Sequence, residues 1–297
     1  MKIGIIGNGV LGRTHSKWLL ANTDHEVLTF SLDGKCNSDI TSLIQHSEIV
    51  FICVPTPEKN GRIDVSIVDE VCAKIAKIRG RKDSAELAVV IRSTVPVGTT
   101  RKMAAKYVGA KKIGFFFIPE FLTEKTAELD FATNLRNVIG MSTRERTPLR
   151  EKMIGVIASM FPRHPYSRWT AVTYEEAELL KLATNSIYAT KVMIANGIKA
   201  YCDKLGISYE VVRDIFTEDP RIGSRMDDNA GQDVHFRVAQ DGRPGYGGKC
   251  LPKDTKELAA EMREAKVGFD IFGYVSDAND RIRNGEPEIK KDNLKKK

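Results

Sequence analysis

The first apolar stretch of this 297-residue chain runs directly into a glycine pattern, and this pairing limits the possible folds more than any other feature. Residues 2–6 read KIGII, and residues 7–12 read GNGVLG. A G-x-G-x-x-G spacing between a strand and a helix is typical of the first crossover of a dinucleotide-binding sheet. Gly7 allows the tight turn, Gly9 lets a pyrophosphate approach the backbone, and Gly12 lets helix and strand pack closely. The sequence therefore predicts a dinucleotide-binding domain at the amino terminus.

The first half of the chain alternates short apolar runs with amphipathic segments, which favours a parallel sheet with crossover helices. The runs predicted as strands are residues 2–6, 26–30, 49–54, 87–91, 113–118 and 137–141. The second half favours helices. Thr173 and Glu176 have capping-box spacing ahead of a helix that we expect to end near Lys204. Ser208 is expected to cap the next helix, and Pro252 to open another.

These patterns predict an α/β fold in three parts. A Rossmann-type doubly wound parallel sheet is expected over residues 1–168, and a helical central domain that carries a cysteine loop over 169–283. The polar, lysine-rich stretch 284–297 is expected to be a disordered basic tail.

Composition narrows the function classes. The net charge of +7 is attributed to solvated basic segments such as RGRK at 79–82, because no basic stripe interleaved with aromatic residues suggests nucleic-acid binding. No apolar run approaches the roughly 18 residues of a membrane span, and no cleavage site follows the first apolar run. Five scattered cysteines without a C-x-x-C pattern indicate neither a disulfide framework nor a metal site. A cytoplasmic protein without a nucleic-acid, membrane or metal partner is expected.

The residues after the second strand bear on the choice of cofactor. An acid that binds the ribose hydroxyls is expected about 20 residues after the last glycine of the loop. Ser31 stands where the acid is expected, and Asp33 can replace it because strand side chains alternate. The alternative is that Ser31 and Lys35 admit the 2′-phosphate of NADP. We expect NAD, bound by Asp33, Lys35 and the loop residues Val10 and Leu11.

Two segments carry residues suited to covalent chemistry. Lys181 and Asn185, in ELLKLATN, are four residues apart and share one face of a helix. In GYGGKCLPKD, Cys250 stands just ahead of a helix amino terminus between Lys249 and Lys253, which favours the thiolate. The glycines of that segment let the backbone fold around a ligand. A structural cysteine and a solvent-facing lysine are the plainer alternatives.

Seven stretches, in the same order along the chain, resemble the UDP-glucose/GDP-mannose dehydrogenase family. They are IGNGVLG (6–12), FICVPTP (51–57), STVPVGTT (93–100), PEFLTE (119–124), ELLKLATN (178–185), RIGSR (221–225) and GYGGKCLPKDTKEL (245–258). The resemblance covers residues 1 to about 283, and the last motif is the most specific. The chain departs from the family at Ser31, in the loop 226–244, and by stopping soon after the central region. We therefore expect the family's C-terminal nucleotide domain to be absent.

The resemblance implies NAD-dependent oxidation of the C6 alcohol of a nucleotide sugar to a uronic acid, with two NAD reduced per sugar. It implies that Cys250 forms a thiohemiacetal and then a thioester. Lys181, or a water held by Asp254, would take the hydroxyl proton, and Lys181 and Asn185 would stabilise the oxyanion. Asp254 or Glu120 would activate the hydrolytic water. UDP-glucose is the expected substrate, with UDP-N-acetyl sugars and GDP-mannose as alternatives.

The same resemblance implies further contacts. Those expected for the cofactor are Pro55, Thr56, Thr94 and Glu124. Those expected for the substrate are Phe121, Leu122, Lys181, Arg225, Tyr246 and Gly247. Arg221 and Arg225 are both candidates to bind the substrate phosphate or sugar, also across a dimer interface, and surface charge is the alternative interpretation of RIGSR. A homodimer through the helix at 174–204 is expected.

Three other functions fit parts of the sequence. A two-electron 3-hydroxyacid dehydrogenase shares the glycine loop and the Lys-x-x-x-Asn helix but needs no cysteine. A non-catalytic subunit would bind NAD or a nucleotide sugar without turnover. A basic interaction protein would depend on the lysine-rich tail. The presence of Cys250, Lys181, Asn185 and Asp254 together favours the enzyme.

Overall fold

The first unit of the chain is built on a mostly parallel sheet. The computed structural model describes residues 1–79, 87–107, 113–134, 136–143, 148–163, 168–219, 222, 234–239 and 241–285. Within this part of the chain, one sheet contains the strands β1 (Lys2–Ile6), β2 (Glu26–Phe30), β3 (Ile49–Ile52), β6 (Leu87–Ile91), β7 (Ile113–Phe117), β8 (Arg136–Met141) and β9 (Arg168–Thr173). These seven strands lie in the order β2-β1-β3-β6-β7-β8-β9. Strands β1, β2, β3, β6 and β7 pair in parallel.

Helices cover both faces of this sheet, as the predicted doubly wound fold requires. They are α1 (Val10–Asn22), α2 (Ile40–His46), α3 (Ser66–Ile78), α4 (Thr99–Tyr107), α5 (Ala127–Ala132) and α6 (Pro148–Ala158). Helices α2, α3 and α4 contribute Leu43, Val68 and Met103 to the core on one face. Helices α1 and α5 contribute Leu19 and Phe131 to the core on the other. The central strands are accordingly apolar on both sides, which explains their continuous Val, Ile and Phe runs.

Two strands correct the predicted topology. Strand β8 runs antiparallel to β7, and β9, which was not predicted, pairs with β8 in parallel. A parallel return requires a crossover that carries the chain back to the opposite edge of the sheet. After β7 the chain instead forms the 3₁₀ turn Glu124–Thr126 and the short helix α5, and then enters β8 in the reverse direction. The sheet is therefore mixed rather than wholly parallel.

The second unit is helical. Helix α7 (Tyr174–Leu205) continues into it from the first unit, followed by α8 (Tyr209–Phe216), α9 (Leu251–Glu264) and α10 (Ile271–Arg283). The units divide as Met1–Lys59 with Ile63–Lys181, and Asn60–Arg62 with Leu182–Lys297. This division falls inside α7, past the residue 168 proposed from sequence. The segment Asn60–Arg62 is the tip of a hairpin formed by β4 (Glu58–Lys59) and β5 (Arg62–Ile63).

The helix starts predicted from sequence are confirmed. The Ser208 side chain accepts a hydrogen bond from the Val211 N–H, and Pro252 lies in the first turn of α9. None of the helices in the described ranges is long and apolar enough to cross a membrane. Most of the predicted basic tail, residues 286–297, lies outside the described residues, as does most of the RGRK segment.

The capping box at the start of α7 gives a stability prediction. The Thr173 hydroxyl accepts from the Glu176 N–H at 3.3 Å, and the Glu176 carboxylate accepts from the Thr173 N–H at 2.8 Å. We expect Thr173→Ala to lower the free energy of unfolding by about 1 kcal/mol, because a backbone donor loses its partner. Urea denaturation measures the change. Thr173→Ser keeps the hydroxyl and is the control; an equal loss in both variants would contradict the capping role.

Candidate active site

The glycine loop shows which glycines serve packing and which leaves space for a ligand. Gly7 has φ +105°, and a Cβ there would collide with the Cys53 carbonyl oxygen. A Cβ at Gly12 would collide with the Gly7 carbonyl oxygen, whereas nothing lies within 4 Å of a Cβ at Gly9. Gly9 is the N-cap of α1. An open backbone at a helix amino terminus suits a phosphate, so the loop fits the pyrophosphate of a dinucleotide.

The different surroundings of Gly9 and Gly12 predict different effects when each is replaced by alanine. We expect Gly12→Ala to lower the melting temperature, because the added methyl group meets backbone that cannot move aside. Gly9→Ala should leave the melting temperature nearly unchanged, since φ is −67° and the space is open. It should nevertheless weaken NAD binding about ten-fold or more, equivalent to ~1.4 kcal/mol, by filling the space used by the pyrophosphate. Thermal unfolding and NAD titration of both variants test this; unchanged NAD affinity in Gly9→Ala would contradict the assignment.

The residues assigned to the ribose lie in a turn. Strand β2 ends at Phe30, so the argument from strand alternation does not extend to Asp33. The Asp33 carboxylate instead accepts from the Lys35 N–H at 3.1 Å, and the Asn8 side chain of the glycine loop donates to the Lys35 carbonyl at 2.7 Å. The Ser31 hydroxyl, as a hydrogen-bond donor, holds the pKa of Asp33 below its usual range. An ionised carboxylate here favours ribose hydroxyls over a 2′-phosphate.

The loops after β3 and β6 are joined by hydrogen bonds. The Thr56 hydroxyl donates to the Thr94 carbonyl at 2.8 Å, and the Ser93 hydroxyl donates to the Val54 carbonyl at 2.7 Å. Thr56 is buried and Pro55 is exposed. The carboxyl ends of neighbouring parallel strands are where α/β sheets bind ligands, so Pro55, Thr56 and Thr94 lie where a cofactor is expected. Of the other residues assigned to the cofactor, Val10 and Leu11 form the half-buried start of α1, and Glu124 is exposed.

Glu120 and Lys181 form a largely buried ion pair in the first unit. The Lys181 ammonium lies 2.9 Å from Glu120 Oε1, and the side chains are 4% and 16% exposed. Glu120 Oε2 accepts from the Leu122 N–H at 2.7 Å. Burial raises the pKa of Glu120, but the Lys181 charge and the Leu122 hydrogen bond outweigh burial, so the net pKa is lowered. The Lys181 ammonium also lies 5.7 Å from the centre of the Phe121 ring.

The second unit contains Cys250 and, one turn further along the same helix, a buried carboxylate with two polar partners. Cys250 is exposed and is the N-cap of α9, where the helix dipole favours a negative charge. Asp254, in the first turn, is 1% exposed. Its Oδ2 accepts from the Asn185 side chain and its Oδ1 contacts the Lys253 ammonium, both at 2.5 Å. Asn185 and Asp254, assigned separately from sequence, are thus bonded to each other, and Lys253 is an additional partner.

The glycine-rich segment before Cys250 is fixed by contacts with neighbouring side chains. The Tyr246 N–H donates to the Asn279 side chain at 2.8 Å, and the Tyr246 ring is buried against Ala189 and Val275. A Cβ at Gly247 would collide with the Asp241 carboxylate. Tyr246 and Gly247 were assigned to the substrate from sequence; their surroundings leave only the backbone for such a contact. Tyr246 anchors the loop.

Arg221 and Arg225, both considered for the substrate from sequence, lie outside the described residues. Glu178, which sequence reasoning did not single out although it lies in ELLKLATN, is fully buried and accepts from the Gly98 and Thr100 N–H groups at 2.6 and 2.7 Å. Burial raises the pKa of Glu178 to about 7. Glu178 therefore connects α7 to the loop that carries Thr94.

No group of three or more His, Cys, Asp or Glu side chains suited to a metal ion occurs among the residues described.

Two regions of the chain match the domains of a known protein family. Residues 31–157 match the NAD binding domain of the UDP-glucose/GDP-mannose dehydrogenase family, and residues 175–281 match its central domain. The chain is 31% identical over 252 residues to the UDP-glucose 6-dehydrogenase TuaD of Bacillus subtilis, covering 83% of this chain and 49% of that protein. It is 29% identical to a GDP-mannose 6-dehydrogenase of Pseudomonas aeruginosa, covering 82% of this chain and 53% of that protein. The chain thus spans about half the length of these relatives.

A solved structure shares the fold. The UDP-glucose dehydrogenase from the hyperthermophilic archaeon Pyrobaculum islandicum superposes with a TM-score of 0.75 at 22% sequence identity. The match covers 96% of this chain and 68% of that chain.

Proposed function

Because this chain belongs to the UDP-glucose/GDP-mannose dehydrogenase family, we propose that it oxidises the C6 alcohol of a nucleotide sugar to a carboxylate with NAD. The proposed route forms a thioester on Cys250. The observation that carries the proposal is the exposed Cys250 at the amino terminus of α9, with a buried Asp254 held by Asn185 and Lys253 in the next turn.

The first oxidation converts the alcohol to an aldehyde. Bound NAD would accept the hydride that leaves C6 in each of the two oxidations. The hydroxyl proton must leave as well. Lys181 is held in an ion pair with Glu120, which favours its charged form and suits donation to the developing oxyanion. We therefore assign proton removal to a water held by Asp254, the second of the two candidates from sequence.

The covalent step follows at the aldehyde. The Cys250 thiolate adds to the carbonyl carbon, forming a carbon–sulfur bond, and the oxygen gains negative charge. Lys181 and Asn185 would donate to that oxygen, an interaction worth about 3 to 4 kcal/mol per donor in known oxyanion sites. Loss of hydride from the thiohemiacetal then leaves a thioester. The sulfur link keeps the aldehyde attached between the two oxidations.

Hydrolysis of the thioester completes the cycle. A water attacks the carbonyl, the carbon–sulfur bond breaks, and the carboxylate and the Cys250 thiolate are released. The lowered pKa of Glu120 keeps it ionised at neutral pH, so its carboxylate can accept a hydrogen bond from this water and orient it, while the protons released pass to solvent. Lys181 links the steps, since the same ammonium orients Glu120 and would donate to the oxyanion.

UDP-glucose is the proposed substrate, since the segment GYGGKCLPKDT resembles the UDP-glucose branch of the family. The test is NADH formation by the purified chain with UDP-glucose, UDP-N-acetylglucosamine and GDP-mannose in turn. Two NADH per UDP-glucose are expected. One NADH per sugar would point to the two-electron alternative. NAD binding without turnover on any sugar would overturn the enzyme proposal in favour of a binding subunit.

We also propose a homodimer through α7 and α8. Ile187, Ile194 and Tyr201 are half exposed or more and recur every seven residues along α7, which places them on one stripe. Val211 and Ile215 of α8 are likewise exposed. Light scattering should give a dimer mass at micromolar concentration. Ile194→Glu should shift it toward the monomer, whereas Leu20→Glu, on the exposed side of α1, should not. A monomer in the unsubstituted protein would refute the dimer.

A further inference from the structure

A short hairpin places an arginine beside the helix that begins at Cys250. Asn60 and Gly61, at its tip, have φ values of +55° and +75°, the positive angles that a two-residue hairpin turn of the Asn-Gly type requires. The hairpin is closed at its base by a hydrogen bond from the Asp64 N–H to the Pro57 carbonyl at 2.8 Å. It is therefore the direct continuation of the FICVPTP loop. Its tip, Asn60–Arg62, is part of the second unit.

Arg62 neutralises a buried charge there. Its Nε and Nη2 atoms lie 3.0 and 2.9 Å from Glu257 Oε1, and Nη1 contacts the Glu264 carboxylate. Glu257 is fully buried, whereas the Arg62 side chain is 38% exposed. The Arg62 guanidinium therefore joins the tip of the hairpin to a buried carboxylate of α9, and removing one partner of a buried ion pair is costly.

Glu257 lies on the same side of α9 as Asp254 and Cys250. It follows Asp254 by three residues and Cys250 by seven, spacings that place side chains on one side of a helix. Lys256, next to Glu257, also pairs with Asp280 of α10 at 3.5 Å. Because α9 is a rigid rod, a displacement of Glu257 along or about its axis also moves Cys250 and Asp254.

We propose that Arg62 is a positioning residue that couples cofactor occupancy of the FICVPTP loop to the placement of Cys250. The proposal rests on the proposed function, which assigns that loop to NAD and Cys250 to the nucleophile. A cofactor that displaces Pro55 or Thr56 would also displace the hairpin, which begins at Pro57. Through its ion pair, the Arg62 guanidinium would then displace Glu257. The thiol then reaches its reactive position when NAD is bound.

Alkylation of Cys250 tests this coupling without turnover. Iodoacetamide labelling of the full chain, followed by mass spectrometry of the Cys250 peptide, gives the rate with and without saturating NAD. In the unsubstituted protein we expect NAD to raise the rate about five-fold or more, the usual lower range for coupling between two sites. In Arg62→Met the rate should no longer respond to NAD, although NAD still binds in titration.

Two further variants separate positioning from folding. Arg62→Met removes the arginine cation beside the buried Glu257 carboxylate, whereas Arg62→Met/Glu257→Gln removes both charges and should recover thermal stability. The double variant should still lack the NAD response, which a purely structural role would not predict. Arg101→Met is the matched control, because it breaks the exposed Arg101–Glu175 pair of the first unit and should keep the response.

The possible outcomes are distinct. A stable Arg62→Met or double variant that keeps the NAD response overturns the proposal, as does an unsubstituted protein whose Cys250 rate ignores saturating NAD. Failure of every nucleotide sugar to yield NADH would count against the proposed function alone. The alkylation result would still decide whether Arg62 couples the two sites.

Discussion

Replacing Cys250 by alanine is expected to reduce the rate of the second oxidation, measured as the second NADH per nucleotide sugar, at least ~10³-fold, since removing a covalent nucleophile typically costs more than this. Without the thiol, the aldehyde cannot become a thioester, so the second oxidation has no route. NAD affinity and the melting temperature should change little, because Cys250 is exposed. Steady-state NADH formation, NAD titration and thermal unfolding of the purified variant measure the three quantities.

The chain offers a matched control for this experiment. Cys36 is the other exposed cysteine among the described residues, and it lies outside the GYGGKC segment. Cys36→Ala should retain most of the activity. If Cys250→Ala still formed two NADH per sugar at the original rate, the covalent mechanism would be wrong.

Breaking the buried Lys181–Glu120 pair should affect both stability and rate. Lys181→Met leaves the Glu120 carboxylate without its cation, and losing one member of a buried ion pair typically costs about 3 to 5 kcal/mol. The loss of an oxyanion donor should also lower kcat about 10²- to 10³-fold. Urea denaturation and steady-state kinetics measure the two effects. Lys17→Met, which breaks the exposed Lys17–Glu128 pair, is the control for removing a lysine.

The same pair makes a pH prediction. The pKa of Glu120 is lowered in the folded chain, so its stabilisation is complete above the unfolded pKa of about 4.3 and is lost as pH falls through the folded value. In Lys181→Met the folded pKa should rise, and the protein should lose stability at a higher pH during acid titration. The double variant Lys181→Met/Glu120→Gln should regain stability but stay inactive. Recovery of activity in it would refute the catalytic role of both residues.

Local patterns in the sequence were sufficient for much of the fold. Residues 2–6, 26–30 and 87–91 were predicted as strands and coincide with β1, β2 and β6, because apolar runs bounded by turns depend on nearest neighbours. The Thr173–Glu176 box and the Ser208 cap were identified for the same reason, since a cap bonds within three residues. The glycine loop and the segment around Cys250 were likewise identified from their own spacing.

The tertiary structure alone decided the features that depend on distant parts of the chain. The reversal of β8 and its pairing with β9 are set by where the chain re-enters the sheet. The burial of Tyr246 and the Arg62–Glu257 pair join residues far apart in sequence, and no short pattern encodes them. The sequence determined which chemical groups are present and which helix or loop carries them. Tertiary packing decided their partners and charge, because burial and ion pairing depend on neighbours that only the folded chain brings together.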